Sequence, residues 1–240
     1  MSKRLLLLVL GLFFIASAQA QPTLVLNTSY TAPLTSPDHT GVLDLIYKEV
    51  GKRLGVNIVI QSLPAERCLL NANEGIDDGD VGRIIGLNKA YPNLMHVPEP
   101  VMEYKMSVFS RKLDFTVAGP DSLKPYDVGI ITGWKILERK IVGTHSLTTL
   151  EDGEQLFSML DKNRIEIAVI ESNQGLMLVK QMKLKNVKLL QPYFLEGSWY
   201  LYLNKRHESL IPQITSILKK MKEEGTYQRI FDSVMKRYAP

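Results

Sequence analysis

Between Ile165 and Ile170 every side chain but Glu166 is apolar, and four of the six are β-branched. A strand that is apolar on both faces is stable only when both faces are covered. That is the situation of a central strand in a parallel sheet flanked by helices. This run therefore demands an α/β architecture, and the rest of the chain can be read against that demand.

The pattern along the chain supplies the partners. Residues 23–27 read as a strand. Val42, Ile46, Val50 and Leu54 recur every four positions, which predicts an amphipathic helix over residues 41–54, ended by Gly55. Residues 57–61 form a second strand, and Pro64 opens a helix through Ala72. Gly75 closes it, and residues 77–85 return to the sheet. The logic then repeats. Strands are expected at residues 104–110, 128–132, 187–190 and 199–203, with helices from Trp134, around Leu156, Met159 and Leu160, and over residues 174–182. Leu210, Ile214, Ile217, Leu218 and Met221 share one face of a long helix, and Ile230, Val234 and Met235 belong to a last one. A second α/β unit thus runs from about Arg111 to Tyr193. With no long flexible linker, the two units must be joined by strands that cross between them, near residues 104–110 and 198–203.

The N-terminus reads as an export leader. Lys3 and Arg4 precede an apolar run over residues 5–15, and Ala18-Gln19-Ala20 offers the small-x-small pattern of a signal-peptidase site. The run is shorter than the ~20 residues of a spanning helix. Cleavage after Ala20 leaves Gln21 first rather than a lipid-bearing cysteine, and predicts a protein free in the periplasm. Losing Lys3 and Arg4 lowers the basic count from 29 to 27 against 25 acids, a net charge of +2. With no dense basic patch, nucleic acid is not an expected partner. Cys68 is the only cysteine, so no internal disulfide is available, and its apolar neighbours Leu69 and Leu70 predict a buried thiol. His39, His96, His145 and His207 lack partners at metal-ligand spacing, so no metal and no cofactor are expected. Neither a nucleophile elbow nor a phosphate-binding glycine loop is present.

Several segments in order resemble a known family. Tyr30-Thr31-Ala32-Pro33 is followed by Gly41, Asp44 and a helix ending in Arg53-Leu54-Gly55. The middle carries Met159-Leu160-Asp161-Lys162-Asn163-Arg164-Ile165-Glu166-Ile167-Ala168-Val169-Ile170-Glu171, with Gly175 four residues on. The end carries Lys222-Glu223-Glu224-Gly225-Thr226-Tyr227-Gln228-Arg229-Ile230. Together they resemble the bacterial extracellular solute-binding proteins of family 3, the polar amino-acid type, over nearly the whole chain beyond the leader. The resemblance implies a type II periplasmic-binding-protein-like α/β fold of two lobes. Lobe one would comprise residues 21–108 and 198–240 and lobe two residues 109–197, with a ligand cleft between them that closes by hinge motion. It also implies a monomer that takes a small-molecule solute and hands it to an inner-membrane ABC permease or a sensor, without chemistry. An enzyme on the same fold, similar to cyclohexadienyl dehydratases, is the alternative, with Glu171 as general acid.

The sequence departs from the family where the ligand is usually held. Asn88-Lys89-Ala90-Tyr91-Pro92 stands where a Thr-x-x-Arg segment is common, and Gly133-Trp134-Lys135 replaces Gly-Thr-Thr. The run Asp78-Gly79-Asp80-Val81-Gly82-Arg83 resembles a divergent branch. Arg83 is the best candidate to grip a carboxylate or phosphate by paired hydrogen bonds, the plain alternative being an ion pair with Asp78 or Asp80. Arg67 faces the same cleft or open solvent. By the resemblance Glu171 meets a ligand ammonium; otherwise it caps the helix that follows. Tyr30 and Trp134 offer flat walls, Trp134 being equally suited to the core. Gly133 precedes a helix N-terminus that can accept an anion, and Trp199 reads as hinge packing.

Overall fold

The computed structural model describes residues 21–238; the leader expected at residues 1–20 lies outside them. In chain order the elements are β1 (Thr23–Thr28), α1 (Val42–Leu54), β2 (Asn57–Ser62), α2 (Ala65–Glu74), β3 (Gly79–Arg83), β4 (Leu94–His96) and β5 (Met102–Ser110). There follow β6 (Asp127–Ile131), α3 (Lys135–Lys140), β7 (Ser146–Leu150), α4 (Gly153–Asp161), β8 (Ile167–Glu171) and α5 (Ser172–Gln181). The chain ends with β9 (Lys188–Leu189), β10 (Leu195–Asn204), α6 (Ile211–Glu223) and α7 (Thr226–Tyr238).

The strands join in the order β2-β1-β3-β10-β5-β8-β6-β7, with β4 beside β10 and β9 beside β5. At one end β1 lies parallel to β2 and β3; at the other, β6 lies parallel to β7 and β8. The two parallel groups are the sheets of two α/β lobes. Between them run two strands that change partner along their length. Residues 195–199 of β10 pair with β5, whereas residues 200–204 pair with β3 and β4. On β5, residues 102–106 pair with β10 and residues 106–110 with β8. A strand shared in this way ties two sheets together while leaving one place to bend, as a hinge requires.

Local sequence explains the elements that position the cleft. On α1 the four-residue repeat buries Val42, Leu43, Ile46, Tyr47 and Val50 completely. Each such side chain contributes about 1.5–3 kcal/mol, and α6 and α7 pack on the same helix. Gly55 stops α1 with φ 77°, a left-handed conformation that costs a side chain and suits glycine. At β3 all five residues are buried, Asp80 included.

The apolar run does form a fully buried strand, β8, but its neighbours are mixed. It is parallel to β6 and antiparallel to β5. Burial on both faces writes an apolar run whatever the direction of the partner, so sequence could not tell the two apart. The expected five-residue strand around Trp199 is the ten-residue β10, because its first half carries Glu196, Gly197 and Ser198, which break the apolar pattern. β7, with its exposed and half-exposed side chains, and the three-residue β4 carry too little periodicity to be read in advance.

Candidate functional site

Four chain segments far apart in sequence meet at the seam between the lobes. Tyr30 sits just past the end of β1, and its hydroxyl donates to the Gly82 carbonyl at 2.5 Å. Arg83 ends β3. Gly133 and Trp134 form the turn between β6 and α3. Trp199 comes from β10, at the point where that strand changes partner. The aromatic rings stack into a column: Tyr30 lies 4.3 Å from Trp199, and Trp199 lies 5.2 Å from Tyr104. Trp134 closes on Tyr30 edge-on at 5.8 Å. Trp199, expected as hinge packing, forms part of the seam's wall.

Arg83 is buried and makes three hydrogen bonds. Its Nε donates to Asp80 Oδ2 at 2.8 Å and its Nη2 to the Ala65 carbonyl at 2.9 Å. Its Nη1 reaches the Gly133 carbonyl at 3.4 Å. The local ion pair with Asp80 is thus formed, and the same guanidinium spans the seam to Gly133. Burial raises the Asp80 carboxyl above its ordinary value, with the Arg83 charge pulling it back. Burial opposes the charge of Arg83 as well, but Asp80, Tyr30 and Cys68 together outweigh it and keep the guanidinium protonated.

Gly133 has φ +83°, and a Cβ there would stand 2.5 Å from the Glu66 nitrogen. Only glycine lets this turn approach the start of α2 so closely. Beside it, Lys135 Nζ bridges Glu66 at 2.5 Å and Glu138 at 3.0 Å, and Tyr91 donates to Glu66 at 2.7 Å. Burial would raise the Glu66 carboxyl, but Lys135 and Tyr91 outweigh it and hold the group below its usual range. A further tie runs from the Thr31 nitrogen to Gln174 Oε1 at 2.9 Å. Between these contacts the remaining cavity, bounded by Tyr30, Arg83, Trp134 and Trp199, is ≈ 20 Å³. That holds about one water molecule, far below the ~300–1,000 Å³ of a ligand pocket.

The other two candidates lie elsewhere. Arg67 is exposed on α2 and does not border this cavity. Glu171 is buried as the N-cap of α5, accepting from the Gln174 nitrogen at 2.9 Å and Asn173 Nδ2 at 3.0 Å. Burial raises its carboxyl to about 7, against the pull of those hydrogen bonds. It borders a different hollow, ≈ 450 Å³, together with Lys105, Leu176, Tyr193 and Phe231. Gln174, three residues beyond Glu171 in the first turn of α5, is the seam residue that sequence reading missed. Its signal was faint, a polar residue at the position a capping acid addresses. The Cys68 thiol is buried and pushed up to about 12 by that burial, so it is unreactive as a nucleophile at neutral pH. Among the described residues no group of three or more His, Cys, Asp or Glu is placed to hold a metal.

No family model matches the sequence. An uncharacterized protein of Shewanella oneidensis is 28% identical over 246 residues, covering 92% of this chain and 91% of that one. Among solved structures, an ancestral arginine-binding protein bound to glutamine superposes with a TM-score of 0.75 at 20% identity, over 89% of this chain and 97% of that one. An amino acid ABC transporter substrate-binding protein from Streptococcus pneumoniae, bound to L-arginine, gives 0.72 at 16% identity, over 90% and 95%. A histidine kinase sensor domain with similarity to periplasmic binding proteins gives 0.76 at 14% identity, over 88% and 94%. At these identities the likeness is one of fold: two α/β lobes of the type II periplasmic-binding-protein kind.

Proposed function

We propose that this chain is a monomeric solute-binding protein of the periplasm. It closes its lobes on a small polar solute, amino-acid-like or carboxylate, and delivers it unchanged to an inner-membrane ABC permease. Lobe one comprises residues 21–108 and 198–240, and lobe two residues 109–197. The observation that carries the reading is the convergence of Tyr30, Arg83, Gly133 and Trp134 on one seam crossed by two shared strands. A binding protein of this kind works by parting and closing that seam. Of the three contacts made by Arg83, the one to Gly133 is the longest and the only one to the opposite lobe. Opening withdraws it and presents a guanidinium N–H to an entering acceptor. Tyr30 and Trp134 then flank the solute.

The test is calorimetric titration of the protein beginning at Gln21 with amino acids and small organic acids. Wild type is expected to bind at least one, with Trp134→Ala abolishing the signal while the fold is retained by circular dichroism. Unchanged affinity in Trp134→Ala would refute the site. The likeness to a histidine kinase sensor domain favours a second reading, delivery of a signal rather than of cargo. An adjacent sensor-kinase gene in place of a permease gene decides between them.

A further inference from the structure

Leu176 on α5 is 51% exposed. One exposed leucine means little, but this one belongs to a lined groove. Asn173, Leu176, Met177 and Lys180 fall at i, i+3, i+4 and i+7, on one face of α5. Met235 and Tyr238 stand a turn apart on α7 and form the opposite wall, with Pro33 from the loop after β1. The groove between them measures ≈ 530 Å³, within the ~300–1,000 Å³ of small-molecule sites. α5 packs on α4, β5 and β8, and α7 on α1 and α6, so each wall belongs to a different lobe.

This groove is separate from the seam. Among the described residues the two share no lining side chain. At Asn173 and Leu176 the groove adjoins the hollow beside Glu171, which reaches Lys105 of β5. Successive side chains of a strand point to opposite faces. On β5, Met106 borders the seam cavity while Lys105 borders this hollow. The hollow and the seam cavity thus lie on opposite faces of a crossing strand.

The chemistry of the lining is simple. Leu176, Met177, Met235 and Pro33 supply apolar walls, and methionine adapts to ligands of varied shape. Among the described residues that line the groove Lys180 alone is charged, and it enters no ion pair with any of the described residues. An apolar slot with a single cation at its edge is complementary to a molecule with an apolar body and an anionic head.

We propose that this groove is a second binding site, for a free amphipathic monocarboxylate of the medium-chain fatty-acid kind. The tail lies between α5 and α7 against Leu176, Met177 and Met235, and the carboxylate pairs with Lys180. The site goes beyond the solute-binding reading and does not depend on it.

The experiment is calorimetry on the protein from Gln21 onward with octanoate, using acetate to remove the tail and octylamine to reverse the charge. Octanoate is expected to bind at least about tenfold tighter than acetate and about fivefold tighter than octylamine. Lys180→Met should weaken octanoate about fivefold, and Leu176→Asp should abolish its binding. Both positions are exposed, and circular dichroism checks that each variant keeps the fold. Trp134→Ala, altered at the seam, should bind octanoate as wild type does. No octanoate binding, octylamine bound as tightly as octanoate, or full affinity in Leu176→Asp overturns the proposal and leaves the solute-binding reading standing. Loss in Trp134→Ala with retention in Leu176→Asp would put the acid in the seam, which overturns the groove site and supports the seam instead. Self-association in sedimentation that Leu176→Asp dissolves would assign the groove to a second copy of the chain, and also overturns the proposal.

Discussion

Replacing Gly133 with alanine should keep the lobes from closing to the seam described here. Two effects arise and can be separated. The first is local: φ +83° at Gly133 costs an L-residue about 1–2 kcal/mol, whether the lobes are apart or together. The second exists only when they are together. The new methyl would lie 2.5 Å from the Glu66 nitrogen and 2.9 Å from the Ala65 carbonyl carbon, both backbone atoms. Ordinary contact begins near 3.4 Å, so the turn must retreat by about 0.9 Å from the start of α2. Overpacking of this kind costs about 1–3 kcal/mol, and one or two kcal/mol shifts a two-state population roughly 5–30-fold. Gly119→Ala is the control, because Gly119 has φ +79° with nothing within 4 Å of its Cβ position. Both variants should lose stability in urea unfolding. Only Gly133→Ala should increase the radius of gyration in small-angle scattering and lengthen a spin-label distance across the seam. An unchanged distance in Gly133→Ala would show that the lobes do not meet at this turn.

Three further outcomes follow from the same geometry. The Glu171 carboxyl is raised from 4.5 to about 7 by burial, so the folded state holds a proton that the unfolded state releases first. Its contribution therefore falls as pH rises from 4.5 to about 7, by up to about 3 kcal/mol; urea titrations across that window should show the slope, and its persistence in Glu171→Gln would refute the assignment. Arg83→Met strands the buried Asp80 charge and should cost about 3–5 kcal/mol, whereas the double variant with Asp80→Asn should recover more than half of it in chemical denaturation. Mass spectrometry of protein recovered from the periplasm should find Gln21 at the N-terminus, an intact leader being the contrary result.

Much of the fold was legible because it rests on local rules. The four-residue spacing from Val42 to Leu54 marks α1, glycine at 55 marks its end, and the apolar run before Glu171 marks β8. The crossing strands were legible too, since two α/β units without a linker leave few other connections. β10 was half hidden, because its residues 195–198 pair with β5 through backbone atoms and need no apolar side chain for it. The candidate site was legible in its parts. Tyr30, Arg83, Gly133 and Trp134 stand out in the sequence by residue type, but their mutual arrangement does not.

Sequence by itself determined the α/β class, the doubled unit and the residue types offered at the seam. Those follow from periodicity, turn chemistry and composition, which act over a few residues. Tertiary structure alone decided how the polar groups are matched. It put Asp80 on Arg83, turned Glu171 inward as a helix cap, brought Gln174 to Thr31 across 143 positions and left Arg67 on the surface. Hydrogen-bond capacity is a property of each side chain, but who takes it up depends on which backbones are brought within 3 Å. That is set by the packing of two lobes, and no local pattern encodes it.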